Sequence, residues 1–195
     1  MSRLLISLVA LFVASTAQAH TGIGDANGFV HGVAHPFGGL DHVLAMVGVG
    51  LFAAQLGGRA LWLVPLSFVL MMVVGGACGL AGADLPFVEI GIGLSVVVLG
   101  VAVAFGRHMP TAAAVALVGF FAIFHGHAHG AEMPAALSAL AYGGGFVLAT
   151  VALHAIGIVI GLVAGMTSEA YRARLVQTTG GAMALAGLAV LAGVM

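Results

Sequence analysis

The sequence predicts an all-α integral membrane protein: a bundle of six transmembrane helices behind a cleaved signal peptide. Three observations carry that expectation. Hydrophobic residues fill 62% of the 195 positions and charged residues 6%, with a mean hydropathy of +1.23, which leaves too little polar surface to coat a soluble particle. The apolar residues fall into segments of about the 20 residues that a bilayer requires. Every arginine beyond the signal peptide falls in a loop on one side of that arrangement, as the positive-inside rule demands.

Met1-Ser2-Arg3 makes a positive start, Leu4 to Ala14 a short apolar core, and Ala17-Gln18-Ala19 a small-x-small cleavage site before His20. That is the layout of a secretory signal peptide over residues 1–19; its core of roughly 11 residues is short for a span. The mature chain, residues 20–195, reads as a single six-helix domain. After the polar connector Thr21 to Gly28, the first span runs from about Phe29 or Pro36 to Gln55, the second from Leu61 to Leu80, and the third from Pro86 to Phe105. Pro86 and Pro110 suit first helical positions. The fourth span reaches from Pro110 to near Glu132, before Pro134. The fifth, about Ala135 to Met166, is long enough that it must tilt, kink or protrude, with Gly143-Gly144-Gly145 as its expected weak point. Thr178 to Val194 closes the chain. With the mature N-terminus outside, Arg59, Arg107, Arg172 and Arg174 all face the cytoplasm.

The same composition excludes several functions. A formal charge of −1 without any Lys offers no basic face for nucleic acid. A chain without Lys cannot carry a Walker-type phosphate loop, so ATP is not hydrolysed within this polypeptide. A single cysteine, Cys78, forms no intrachain disulfide.

Chemistry concentrates in two short runs, His35-Pro36-Phe37-Gly38-Gly39-Leu40-Asp41-His42 and His125-Gly126-His127-Ala128-His129-Gly130-Ala131-Glu132. Together they hold five of the nine histidines and two of the six acidic residues. On a continuous helix His125, His129 and Glu132 fall at i, i+4 and i+7, one narrow stripe, with His127 turned away. At about 1.5 Å of rise per residue, His125 lies roughly 10 Å deep, and Asp41 and His42 roughly 15 to 20 Å if the first helix starts near residue 30, less if it starts at Pro36. Both runs therefore occupy the outer half of the membrane. An ionisable group there costs several kcal/mol unless it is paired or lines water. Imidazoles mixed with carboxylates, and no thiolate, suit a labile first-row divalent cation such as nickel, cobalt or zinc. The candidate metal ligands are His35, Asp41, His42, His125, His129 and Glu132. Gly38, Gly39, Gly126 and Gly130 thin the helices around them.

These runs resemble the HupE/UreJ family of membrane metal permeases. One motif is His-x5-Asp-His, here His35, Asp41 and His42; the other is Phe-His-Gly-x-Ala-His-Gly-x-Glu, here Phe124, His125, Gly126, Ala128, His129, Gly130 and Glu132. The resemblance implies inward transport of nickel, or cobalt, across the bacterial cytoplasmic membrane to supply nickel enzymes such as hydrogenase or urease. The ion is then a transported substrate, and no permanently bound cofactor is expected.

His20, the new N-terminus after cleavage, with His31 and His127, is an auxiliary capture candidate. The ion would meet them first, then His125, His129 and Glu132, and then His35, Asp41 and His42. His154, within the fifth span, is a further ligand, a proton relay, or a histidine hydrogen-bonded between helices. Glu89 is a vestibule charge or a helix-start acid. Two other readings compete: a membrane haem held by facing imidazoles, and an intramembrane metalloenzyme with Glu132 as base. The acidic residues in both runs weigh against the first, and the absence of a His-Glu-x-x-His pattern against the second. Gly-rich helix faces would permit a homo-oligomer as readily as tight packing within one bundle.

Overall fold

The structure, a computed structural model, describes residues 25–105, 108–134 and 136–193. The signal-peptide reading of residues 1–19, His20 and Arg107 lie outside the described residues. Among the described residues the architecture is all-helical: α1 (Asp25–Ala34), a 3-10 turn (His35–Gly38), α2 (Leu40–Leu56), α3 (Ala60–Leu80), α4 (Val88–Phe105), α5 (Thr111–Ala131), α6 (Ala139–Gly165) and α7 (Glu169–Leu191). Helices α3 to α7 are each long and apolar enough to cross a bilayer. Asn27–Gly38 and Leu40–Leu56 together pass as one further span, bent by 87°.

That bend corrects the expected first helix. Proline has no N–H to donate and disfavours α-helical backbone in the residue before it, so α1 stops at Ala34 and Pro36 sits in the first turn of a short 3-10 helix that begins at His35. Gly39 is then extended, at φ −124° and ψ 129°, and α2 starts afresh at Leu40 with Asp41 in its first turn. An acid there is favoured by the helix dipole. The turn carries His35 and the new helix start carries Asp41 and His42, so the break itself presents the first motif.

Two other boundaries differ from expectation. Helix α6 runs unbroken through Gly143-Gly144-Gly145: the Ser138 hydroxyl caps it by accepting the Ala141 N–H at 3.4 Å, and α1 packs flush along this segment. Helix α7 begins at Glu169, well before Thr178, so Arg172 and Arg174 lie on the helix and not in a loop. Arginines depress hydropathy but are good helix formers, and apolarity alone therefore mislocates the start.

Helices α1 and α2 lie along α6, α3 along α5, and α4 along α7. Helix α2 touches the other two pairs as well, and its Ala45, Met46, Val49, Phe52 and Ala53 are fully buried. Trp62, Leu70, Val101, Phe120, Val159 and Leu162 point outward, as a lipid-facing surface allows. Without a hydrophobic force between helices in lipid, close backbone approach supplies the cohesion. At Gly126 on α5 an added Cβ would fall on the Met72 carbonyl of α3, and at Gly157 on α6 it would fall on the Val47 carbonyl of α2.

Gly157→Ala should therefore destabilise the bundle by about 1–3 kcal/mol through overpacking. Gly144→Ala, where a Cβ meets nothing within 4 Å, should not. Thermal unfolding of the full chain in detergent micelles reads this as a lowered midpoint for the first variant alone.

Candidate metal centre

The second motif sits at the end of α5, where Glu132 is the C-cap residue and keeps helical backbone, φ −87° and ψ −4°. The expected stripe of His125, His129 and Glu132 thus forms. Beside it, Gly126 and Gly130 lie against α3, fixing the stripe toward α2 and the 3-10 turn. Opposite, Gly39 leaves room where a Cβ would collide with the Asp41 carboxylate and the His42 ring.

The two motifs interleave. Ring centroids lie 4.7 Å apart for His35 and His129, 4.4 Å for His129 and His42, and 5.1 Å for His42 and His125. His35 Nε2 is 3.9 Å from the Glu132 carboxylate, and His35, His129 and Glu132 offer ligand atoms all within 4.8 Å of one another. Deeper, the Asp41 carboxylate accepts the Nδ1–H of His42 at 2.8 Å. The outer group takes one residue from the first motif and two from the second, and beside it the Asp41–His42 pair of the first motif meets the His125 ring of the second. The sequence expectation instead groups the ligands motif by motif.

Exposure is graded along the chain of side chains. It falls from 61% at Glu132 and 35% at His35 to 18% at Asp41 and 14% at His42; His129 and His125 are buried. His42 Nε2, His125 Nδ1 and both nitrogens of His129 are sealed from solvent without a hydrogen-bond partner. Buried polar atoms normally find partners. Neutral imidazole nitrogens with free lone pairs, joined by carboxylates, make a donor set suited to a borderline divalent cation. The carboxylate on His42 also orients that ring, an arrangement common behind metal-binding histidines. Aromatic neighbours wall the cluster: Phe146 lies 4.1 Å from His129 and Tyr142 5.7 Å from His35.

Of the auxiliary candidates, His127 and His154 hold contacts of their own, while His31 neighbours His35. His31 is exposed on α1. His127 points away, its Nε2–H donating to the Ala83 carbonyl at 2.6 Å, and so ties α5 to the loop after α3. His154 is buried on α6 against Phe68, 5.1 Å between centroids, and Phe68 also lies 5.7 Å from His125. Neither nitrogen of His154 has a hydrogen-bond partner, so the interhelical hydrogen bond considered for it is not made. Glu89 is exposed in the first turn of α4. Sequence reasoning missed Ser95, buried on α4, whose hydroxyl is 2.8 Å from His125 Nε2; its signal was a lone hydroxyl in a span of Gly, Val, Leu and Ile.

A family model described as HupE / UreJ protein matches residues 8–190 of the chain. The curated Protein HupE of Rhizobium leguminosarum bv. viciae is 47% identical over 192 residues, covering 98% of each chain. No solved structure matches.

Replacing His127 by Ala should lower stability by about 1 kcal/mol, the worth of the lost hydrogen bond to Ala83, while leaving divalent-metal affinity unchanged. Thermal unfolding and equilibrium dialysis of the detergent-solubilised chain report the two halves of that expectation separately.

Proposed function

The chain belongs to the HupE/UreJ family, and from that premise we propose that it is a secondary, non-ATP permease that imports Ni2+ across the bacterial cytoplasmic membrane. Co2+ is the closest competing substrate, and the cargo supplies nickel enzymes such as hydrogenase or urease. The observation that carries this reading is the graded histidine and carboxylate cluster inside a multi-pass apolar bundle. A solvent-facing carboxylate leads there to progressively buried, unpaired imidazoles.

Glu132 and His35, the exposed members, meet the hydrated cation at the outer face. Their lone pairs, with those of His129, replace part of its water shell. The His129 ring adjoins His42, whose Nδ1–H is held by Asp41, so the free Nε2 receives the ion without a change of tautomer. His125 completes the inner position. Imidazole and carboxylate bind more loosely than a thiolate cage, which a site that must also release requires.

The far end of the bundle supports an inward direction. A cavity of about 350 Å³ lies among the ends of α2, α4, α6 and α7, lined by Gln55, His108 and Arg172 among others. It lies about 20 Å along α2 from His42 at 1.5 Å per residue. Arg59 follows α2 at that same end, and positive residues belong on the cytoplasmic side. The membrane potential favours entry of a divalent cation by about 4.6 kcal/mol at 100 mV.

Cells lacking their own nickel importers should take up radioactive nickel when they express the native chain. His42→Ala and His129→Ala, at matched membrane levels, should each reduce uptake to the level of empty cells. Excess cobalt should compete and excess magnesium should not. No uptake by native chain present in the membrane would refute the proposal.

A further inference from the structure

We propose that Ser95 is a positioning residue that selects the tautomer of His125, so that His125 Nδ1 is the atom offered to the transported cation. This rests on the permease reading above and specifies which atom of the inner position binds and what prepares it.

The argument is a proton count. Ser95 Oγ makes two short polar contacts, to the Ile92 carbonyl at 2.6 Å and to His125 Nε2 at 2.8 Å. Each contact needs a proton between its heavy atoms, because two lone pairs at such distances repel. The Ile92 carbonyl has no proton to give and the hydroxyl has one. If the hydroxyl donated to His125, the two oxygens at 2.6 Å would face each other without a proton. The hydroxyl therefore donates to Ile92, the residue one turn earlier on α4, and accepts from His125. His125 must then carry its proton on Nε2, and a neutral imidazole so protonated has its lone pair on Nδ1.

Burial gives the arrangement its force. Ser95 and His125 are both fully buried, so no water substitutes for either partner. His125 Nδ1 is itself sealed from solvent and unpartnered, on a ring packed against His42 at 5.1 Å between centroids. A free lone pair beside another imidazole whose own orientation is fixed by Asp41 is what a cation ligand requires. Asp41 holds His42 by Nδ1 and frees Nε2, whereas Ser95 holds His125 by Nε2 and frees Nδ1. The inner position thus has two imidazoles of opposite tautomer, each set by a different helix. Ser95 does not touch the cation; it acts through the ring. A merely structural role, joining α4 to α5, would be indifferent to which nitrogen of His125 carries the proton.

The test uses the full chain in detergent, labelled with 15N-histidine and free of metal, with the His125 signals assigned by their loss in His125→Gln. The native protein should show a pyrrole-type Nε2 and a pyridine-type Nδ1 for His125, a reading that needs no Ser95 variant to fold. Ser95→Ala should lose that preference and bind Ni2+ about 10- to 100-fold more weakly in equilibrium dialysis, the usual effect of removing a partner behind a metal ligand. Ser95→Thr, which keeps the hydroxyl, should retain both. A native His125 protonated on Nδ1, or a Ser95→Ala chain with unchanged tautomer and unchanged affinity, overturns the proposal. Native chain that takes up nickel with the wrong tautomer refutes only the role of Ser95. Native chain that neither binds nor takes up nickel refutes the permease reading, and the ligand role of Nδ1 with it.

Discussion

An imidazole nitrogen sealed from water without a hydrogen-bond partner costs about 1–3 kcal/mol, and this bundle places several side by side. His42 Nε2, His125 Nδ1 and both nitrogens of His129 are in that state within one cluster. Much of the fold can be understood as what keeps them there. The flush contact of α5 on α3 at Gly126 stops the histidine stripe from rotating toward lipid. The Asp41 carboxylate and the Ser95 hydroxyl each occupy one nitrogen of a ring and leave the other bare. In the proposed permease, a cation that accepts the lone pairs of His42 Nε2, His125 Nδ1 and one nitrogen of His129 would relieve part of that cost, and the unpaired rings would be the source of the affinity.

The interleaving of the two motifs follows from the break at Pro36 and Gly39. A straight helix from α1 into α2 would carry His35 along the same axis as His42. The 87° bend instead places His35 beside His129 and Glu132 while Asp41 and His42 descend with α2 beside His125. Residues of the two motifs therefore meet side by side, His35 with His129 and His42 with His125. The bend also explains the gradient of exposure: the turn lies at the mouth of the bundle, whereas α2 passes through its middle.

Much of this was legible in sequence, for physical reasons that differ by element. The spans were readable because the bilayer imposes length and apolarity on every helix that crosses it. The stripe of His125, His129 and Glu132 was readable because helical periodicity is local. The pairing of His35 with Glu132 was not, since it depends on the 87° bend at Pro36 and Gly39, an angle that no local pattern gives, and sequence reasoning left the helix start open between Phe29 and Pro36. Ser95 escaped because a hydroxyl in an apolar span returns its proton to its own helix in most settings; only the imidazole across the interface makes it informative. The start of α7 was misplaced because insertion favours apolar residues while helix formation does not, and Arg172 and Arg174 satisfy the second condition only.

The central claim is that each metal position is shared between the motifs, and a double-mutant cycle between His35 and Glu132 on Ni2+ affinity tests it most directly. If both belong to one outer position, His35→Ala and Glu132→Gln will each weaken binding, and the double variant will be little worse than either. The coupling would then exceed about 0.5 kcal/mol, beyond what independent sites show. Additive effects, with the double variant weakened by the product of the two single effects, would mean that the motifs bind separately and would contradict the account.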